Sequence, residues 1–259
     1  MTRAQQAAID LMGECGIDDP TEIPLELLVE GRGATITNAP LSGSDGRIVF
    51  GETTALITIN SGIAYEGKRR FTIAHELGHY ELHRNAFKHH HDTDASLEFY
   101  FKEGNQETEA NQFASELLMP EKLFASACVG KKFGPEVLRS LADRFKTSIT
   151  SVAYKFFDLG NHPICLVYSR NGLVEYRKWP EGYPHFLKDL RKLPPPECSV
   201  AREFFDDGIR YRPREGRQKV WKSEWFELRS NETDDDSEFY EYCIITPQYG
   251  TVLSVIWEP

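Results

Sequence analysis

The chain has little that would suit an oxidising compartment or a membrane. Its five cysteines are an odd number and far apart, with no C-x-x-C pair, which argues against a disulfide framework and for free thiols in a reducing compartment. No apolar run approaches the roughly 20 residues needed to span a bilayer. The first residues lack the apolar core of a signal peptide. Together these absences predict a cytoplasmic protein.

Positive charge is also scarce. The 30 basic and 40 acidic side chains give a formal net charge of −10, and such a surface repels phosphate backbones. Direct binding to nucleic acid is therefore not expected, whereas a basic protein partner would be attracted. With 259 residues, 40% of them hydrophobic and 27% charged, the composition is that of a globular protein with one large domain or two.

One short motif carries most of the functional information: His75-Glu76-Leu77-Gly78-His79. Positions i and i+4 of an α-helix lie on one face, so the imidazoles of His75 and His79 can point at a single metal ion. Glu76 lies one step round the helix, where it can reach a water molecule on that metal without being a ligand. The motif is typical of zinc hydrolases, above all peptidases.

Two histidines do not complete a zinc site, so a third ligand is required. One known arrangement uses a third histidine further along the same motif. It is absent here because Leu82 and Asn85 stand at the positions of its glycine and histidine. His83 continues the helical face of the motif but lies too far along the axis to share the metal. We therefore interpret His83 as an ordinary packed or surface residue of the helix.

A separate downstream helix, predicted for residues 105–118, offers a carboxylate ligand. Glu103, Glu107 and Glu109 are the candidates. Asn111 follows Glu107 by one turn on the same face, where its amide could hydrogen-bond a ligating histidine. Glu109 points roughly 200° away from Glu107 around the helix, so the two cannot both be ligands. We assign the third ligand to Glu107.

The residues around these positions resemble the ImmA/IrrE family of metallopeptidases, over roughly residues 20–160. Three runs carry the resemblance: RFTIAHELGH at 70–79, ETEANQFA at 107–114 and ELLMP at 116–120. The resemblance implies that His75, His79 and Glu107 are the metal ligands and that Glu76 is the catalytic glutamate. It also implies Zn²⁺ as the cofactor, or another divalent ion such as Mn²⁺.

The resemblance further implies a substrate. Members of that family are intracellular proteases that cleave a helix-turn-helix repressor and so derepress stress-response or mobile-element genes. Others are toxin–antitoxin partners or radiation-response regulators. An alternative is a module that binds a repressor or antitoxin without cleaving it. The intact motif argues against this alternative, because binding alone would not need Glu76.

The expected mechanism is general-base hydrolysis. Glu76 would take a proton from the water that attacks the peptide carbonyl, and would return it to the leaving amine. The zinc and a further donor would hold the oxyanion. Tyr80, His162 and the histidines at 89–91 are conceivable donors, and the sequence does not rank them.

The predicted fold class is α+β in two domains. Residues 1–160 are expected to form a helix-rich, zincin-like metallopeptidase domain with a small antiparallel sheet from strands at 34–38, 47–50 and 55–60. Its segment 135–159 resembles a helix-turn-helix, which we expect to pack on the peptidase core because it has no basic cluster.

Residues 161–259 are expected to form a second α+β domain on an antiparallel sheet. A hairpin is predicted at Asn171-Gly172, helices at 186–193 and 199–205, and a strand at 219–228. A sensory or a partner-binding role is open for this domain.

Overall fold

The computed structural model describes residues 1–51, 53–87, 104–211, 216–228 and 236–259. It has the predicted α+β fold class and divides into two compact units. One unit comprises Met1–Ala127 and Leu141–Ser151, and the other comprises Cys128–Ser140 and Val152–Pro259. The domain boundary near residue 161 stays a prediction. Among the described residues, no helix has the length and apolar character required to cross a membrane.

Most of the predicted elements are present. In chain order they are α1 (Arg3–Glu14), α2 (Leu25–Gly31), β1 (Ala34–Ala39), β2 (Gly46–Phe50), β3 (Ala55–Asn60), α3 (Glu66–Phe87), α4 (Gly104–Leu118), α5 (Glu121–Cys128), α6 (Pro135–Phe145), α7 (Ile149–Leu159), β4 (Cys165–Arg170), β5 (Leu173–Lys178), α8 (Val200–Asp207), β6 (Gln218–Trp221), α9 (Lys222–Trp225), β7 (Glu238–Thr246) and β8 (Thr251–Trp257). A 3₁₀ turn, Pro247–Tyr249, joins the last two strands.

The small sheet of the first unit is mixed, with strand order β1-β3-β2. β2 runs antiparallel to β3 as predicted, but β1 runs parallel to β3. The loop between β1 and β2 passes the end of β3, where the side chain of Asn60 donates to the carbonyls of Leu41 and Ser44 at 2.9 and 2.8 Å. Strand patterns along a sequence do not fix the order of strands in space, which is why the parallel pair was not predicted.

Helix α3 packs against β2, β3 and α4. Its Ile73 and Leu77 are fully buried, as is Phe113 of α4. Gly78 lies where the two helices approach most closely, because an added Cβ there would be 3.1 Å from Phe113 and 3.2 Å from the backbone of Ala110. This close packing brings the face of α3 that carries the two motif histidines next to the first turn of α4.

Helices α6 and α7 meet at a three-residue turn, as predicted. Lys146 adopts a positive φ of 49° there, and the Ser148 hydroxyl caps α7 by accepting from the amide of Ser151 at 3.0 Å. An added Cβ at Gly67 would lie 2.5 Å from the carbonyl carbon of Thr147. The turn, which belongs to the first unit, therefore lies against the start of α3. That the helical pair as a whole packs on the peptidase core stays a prediction.

The second unit is built on a five-stranded antiparallel sheet of order β5-β4-β8-β7-β6. The central strand β8 is buried at every residue. The predicted hairpin is present, since Asn171 and Gly172 both have the positive φ values, 50° and 80°, of a type I′ turn. Glu241 of β7 is fully buried and accepts hydrogen bonds from the first amides of α8.

Two predicted elements of this unit were wrong. Residues 186–193 form no helix, because their backbone pairs with other segments: Lys188 donates to Trp225 and Lys192 donates to Val174, at 2.9 and 2.8 Å. The strand expected at 219–228 ends at Trp221, and the short helix α9 follows it. In both places tertiary pairing overrides a local apolar pattern.

Candidate metal centre

The three predicted ligands lie together. His75 and His79 stand one turn apart on α3, and Glu107 comes from the first turn of α4. The Nε2 atoms of the two histidines are 3.1 Å apart. The Glu107 carboxylate reaches both of them, with one oxygen 3.3 Å from His75 Nε2 and the other 3.4 Å from His79 Nε2.

These distances fit a tetrahedral metal ion. Zinc ligands lie roughly 2.0–2.1 Å from the ion, so two ligand atoms of a tetrahedral site are about 3.3–3.4 Å apart. The separations of 3.1, 3.3 and 3.4 Å among the three residues approach that value. Among the described residues, these three side chains form a group that could hold a metal ion. Two imidazoles and one carboxylate leave the fourth position of such a site for water or substrate.

Asn111 orients the first of the two histidines. Its Oδ1 lies 3.0 Å from His75 Nδ1, and an amide oxygen only accepts, so the imidazole carries its proton on Nδ1. The Nε2 lone pair of His75 is then free for a metal. This is the contact predicted from the spacing of Glu107 and Asn111 on one face of α4.

The carboxylates of Glu76 and Glu107 make this site electrostatically favourable for a cation. Burial opposes a charge on His75, but its hydrogen bond to Glu107 and the charges of Glu76 and Glu107 outweigh burial and raise the pKa of His75. Burial dominates at His79 and lowers its pKa. The contact with His75, and after it the contact with His79, holds the pKa of Glu107 well below its usual range.

Glu76 is buried beside the ligands, with only 6% of its surface exposed. Burial raises the pKa of its carboxyl to about 7, and the charge of Glu107 adds to this effect while His75 opposes it. A carboxyl with a pKa near neutrality can exchange a proton with a reacting water molecule near pH 7. Its position suits the predicted role of general base.

Gly46 leaves the space that this carboxylate occupies, a role that was not predicted from the sequence. An added Cβ at Gly46 would lie 2.6 Å from Glu76 Oε1 and 2.6 Å from the Thr72 methyl group. Any larger residue at the start of β2 would therefore displace the side chains of Glu76 or Thr72. The sequence signal was a glycine immediately before the predicted strand 47–50. A glycine at such a position usually marks a turn.

A cavity of about 740 Å³ opens over these residues. It is bounded by α3, by the first turns of α4, by the loop 42–45 and by the whole of β2. Within the described part of the chain β2 pairs only with β3 and forms an edge of its sheet. An extended peptide can add to such an edge through main-chain hydrogen bonds.

Of the other residues singled out from the sequence, His83 and Glu109 are not in the group of ligands but contact it. The Nδ1 of buried His83 is 3.1 Å from Nδ1 of His79, and its Nε2 is 2.9 Å from a carboxylate oxygen of Glu109. Glu103 lies outside the described residues.

Two of the oxyanion donors considered from the sequence, Tyr80 and His162, make contacts away from the proposed ligands. The Tyr80 hydroxyl donates to the carbonyl of Arg32 at 2.8 Å and does not line the cavity. His162 belongs to the second unit, where it stacks on Phe133 with ring centres 5.8 Å apart. The histidines at 89–91 lie outside the described residues. The oxyanion donor thus stays unassigned.

Comparison with known proteins identifies the class. Residues 29–157 match the family described as IrrE N-terminal-like domain, Peptidase_M78. The chain belongs, through this domain, to that peptidase family, which agrees with the ImmA/IrrE resemblance. The family implies a metal ion and a protein substrate, and the His-His-Glu group lies inside the matched segment. No curated protein matches the chain.

The fold as a whole also occurs in a solved structure. A Mycobacterium tuberculosis transcriptional regulator is similar to this chain with a TM-score of 0.62 and 14% sequence identity. The match covers 100% of this chain and 77% of the other. At this identity the similarity concerns the fold.

Proposed function

We propose that this protein is a zinc-dependent endopeptidase that cleaves a regulatory protein, specifically a helix-turn-helix transcriptional repressor, in the cytoplasm. The observation that carries the proposal is the near-tetrahedral arrangement of His75, His79 and Glu107 beside buried Glu76. Mn²⁺ or another divalent ion would fit the same nitrogen and oxygen donors.

The chemistry follows from these side chains. A bound divalent ion would supply Lewis acidity, which polarises a peptide carbonyl and makes water more acidic. Glu76 accepts the proton of the attacking water and delivers it to the amine as the peptide bond breaks. The Glu76 side chain of α3 lies close against Gly46 of β2, where an added Cβ would be 2.6 Å from its Oε1. Proton transfer therefore starts from a carboxylate that is packed against the sheet.

The edge strand β2 supports an endopeptidase. A substrate that pairs with β2 is held by its main chain on both sides of the scissile bond, so recognition does not need a free chain end. The apolar side chains of Ile48, Phe50 and Phe71 along the cavity wall would contact side chains of the substrate.

A transcriptional repressor is supported as substrate in two ways. The ImmA/IrrE resemblance implies it, and the formal charge of −10 attracts the basic surface of a DNA-binding protein. Cleavage of a repressor would release the genes that it silences.

The direct test is cleavage. Zinc-loaded protein is incubated with the repressor encoded beside it, and the fragments are identified by intact-mass spectrometry. Wild type should yield two fragments, whereas Glu76→Gln should bind zinc and substrate but yield none. Equal cleavage by both proteins would refute the role of Glu76. Tight binding by wild type without any fragment would instead favour the non-cleaving repressor- or antitoxin-binding module.

A further inference from the structure

The side chains of Glu109, His83 and His79 form a continuous chain of polar contacts, which ends at His79, a proposed ligand of the metal centre. His79 Nδ1 is 3.1 Å from His83 Nδ1, and His83 Nε2 is 2.9 Å from Glu109 Oε2. Side-chain exposure is 3% for His79, 5% for His83 and 23% for Glu109. This chain of contacts therefore runs from the metal centre through two buried imidazoles to a carboxylate near the surface.

The hydrogen-bonding capacities of these groups fix where the protons lie. An ionised carboxylate only accepts, so His83 donates from Nε2 to Glu109. An imidazole that carries its single proton on Nε2 accepts at Nδ1, so the Nδ1 of His79 is the donor to His83. His79 consequently keeps its proton on Nδ1 and presents the lone pair of Nε2 to the metal.

We propose that Glu109 and His83 are positioning residues that set the ring orientation and the tautomer of the metal-ligating His79. The proposal rests on the proposed metal centre. His83 acts as a spacer because its two ring nitrogens connect the ligand His79 with the carboxylate of Glu109, which lies on a different helix. This differs from the interpretation of His83 as an ordinary helix residue.

The other histidine supports this assignment. His75 is oriented directly by Asn111, at 3.0 Å. Both orienting groups thus come from α4, as does the ligand Glu107. Three residues of α4 thus serve the centre: Glu107 as a ligand, Glu109 as a carboxylate that acts through His83, and Asn111 as an amide that contacts His75. Partners of this kind commonly change metal affinity by roughly 10–100-fold.

The test measures zinc affinity in the full-length protein. Metal-free wild type, Glu109→Ala, Glu109→Gln and His83→Phe are titrated with zinc against a chromophoric chelator. We expect Glu109→Ala and His83→Phe to weaken binding by about 10–100-fold while still taking up one zinc at saturation. Glu109→Gln keeps an acceptor oxygen for His83 Nε2 and should recover most of the lost affinity.

A matched control separates positioning from general stability. Glu81 lies on α3 like His83, and its carboxylate pairs with Arg32 at 2.8 Å rather than with a histidine. Glu81→Ala should leave zinc affinity unchanged. A direct readout is the ¹⁵N spectrum of the histidine rings in metal-free protein at pH 8.5. There His79 should carry its proton on Nδ1 in wild type and become a mixture of tautomers in Glu109→Ala.

The outcomes are distinct. Zinc affinity of Glu109→Ala and His83→Phe equal to that of wild type would overturn the positioning role while leaving the metal centre intact. A loss of affinity that Glu81→Ala shares, with an unchanged His79 tautomer, would also overturn it. If wild type takes up no zinc at all, the proposed metal centre itself fails, and the positioning role falls with it.

Discussion

Replacing Glu76 with glutamine should make the metal-free protein more stable at alkaline pH although it removes the proposed general base. Burial raises the pKa of this carboxyl from its ordinary value of 4.5 to about 7. The folded protein therefore retains a proton that the unfolded chain releases at lower pH. Stability falls as the pH rises between these two values, and above pH 7 the folded protein carries the whole cost of the buried charge.

The magnitude follows from the same values. A rise in the pKa of Glu76 from 4.5 to about 7 corresponds to about 3 kcal/mol. Glu76→Gln keeps the shape of the side chain and cannot ionise. Its free energy of unfolding should match that of wild type near pH 4 and exceed it by about 3 kcal/mol at pH 8.

The assay is urea denaturation of both metal-free proteins at several pH values between 4 and 8. Titrating groups away from the site are common to both proteins, so their contributions cancel in the difference. A difference that does not grow with pH would show that Glu76 is not a buried, desolvated carboxylate. A larger stability of wild type at pH 8 would refute the reasoning outright.

Two further predictions concern the neighbours of Glu76. Gly46→Ala should retain zinc but lower kcat/KM by at least about tenfold, because the new methyl group displaces the general base. Steady-state kinetics and metal analysis of one preparation check this prediction. An unchanged kcat/KM would contradict it. Glu107→Ala should lose stoichiometric zinc on metal analysis, since only two ligands remain. Full zinc content in Glu107→Ala would show that another group is the third ligand.

The spacing of the proposed ligands along each helix could be predicted, because it depends on helical geometry. His75 and His79 are one turn apart, and so are Glu107 and Asn111, so each pair had to share a face once the helices were placed. The observed contacts of His75 with Glu107 and Asn111, at 3.3 and 3.0 Å, agree with that spacing but also require the two helices to pack together.

What could not be predicted depends on the approach of one segment to another. The role of Gly46 arises from the distance between β2 and Glu76, which no local pattern encodes. The parallel pairing of β1 with β3 likewise depends on how a loop crosses the end of a strand. The pairing of residues 186–193 with Val174 and Trp225 is a third case of this kind.

His83 shows how a correct local argument can still miss a contact. Glu107 and Glu109 do point to different sides of α4, and only Glu107 meets the Nε2 atoms of the ligands. Two helices in close contact nevertheless leave room for side chains on both flanks of the line along which they meet. His83, one turn beyond His79 on α3, lies where it can meet Glu109. Glu109 points away from the Nε2 atoms of the ligands, which excludes it as a ligand itself. It points toward His83 instead and can therefore act through His83.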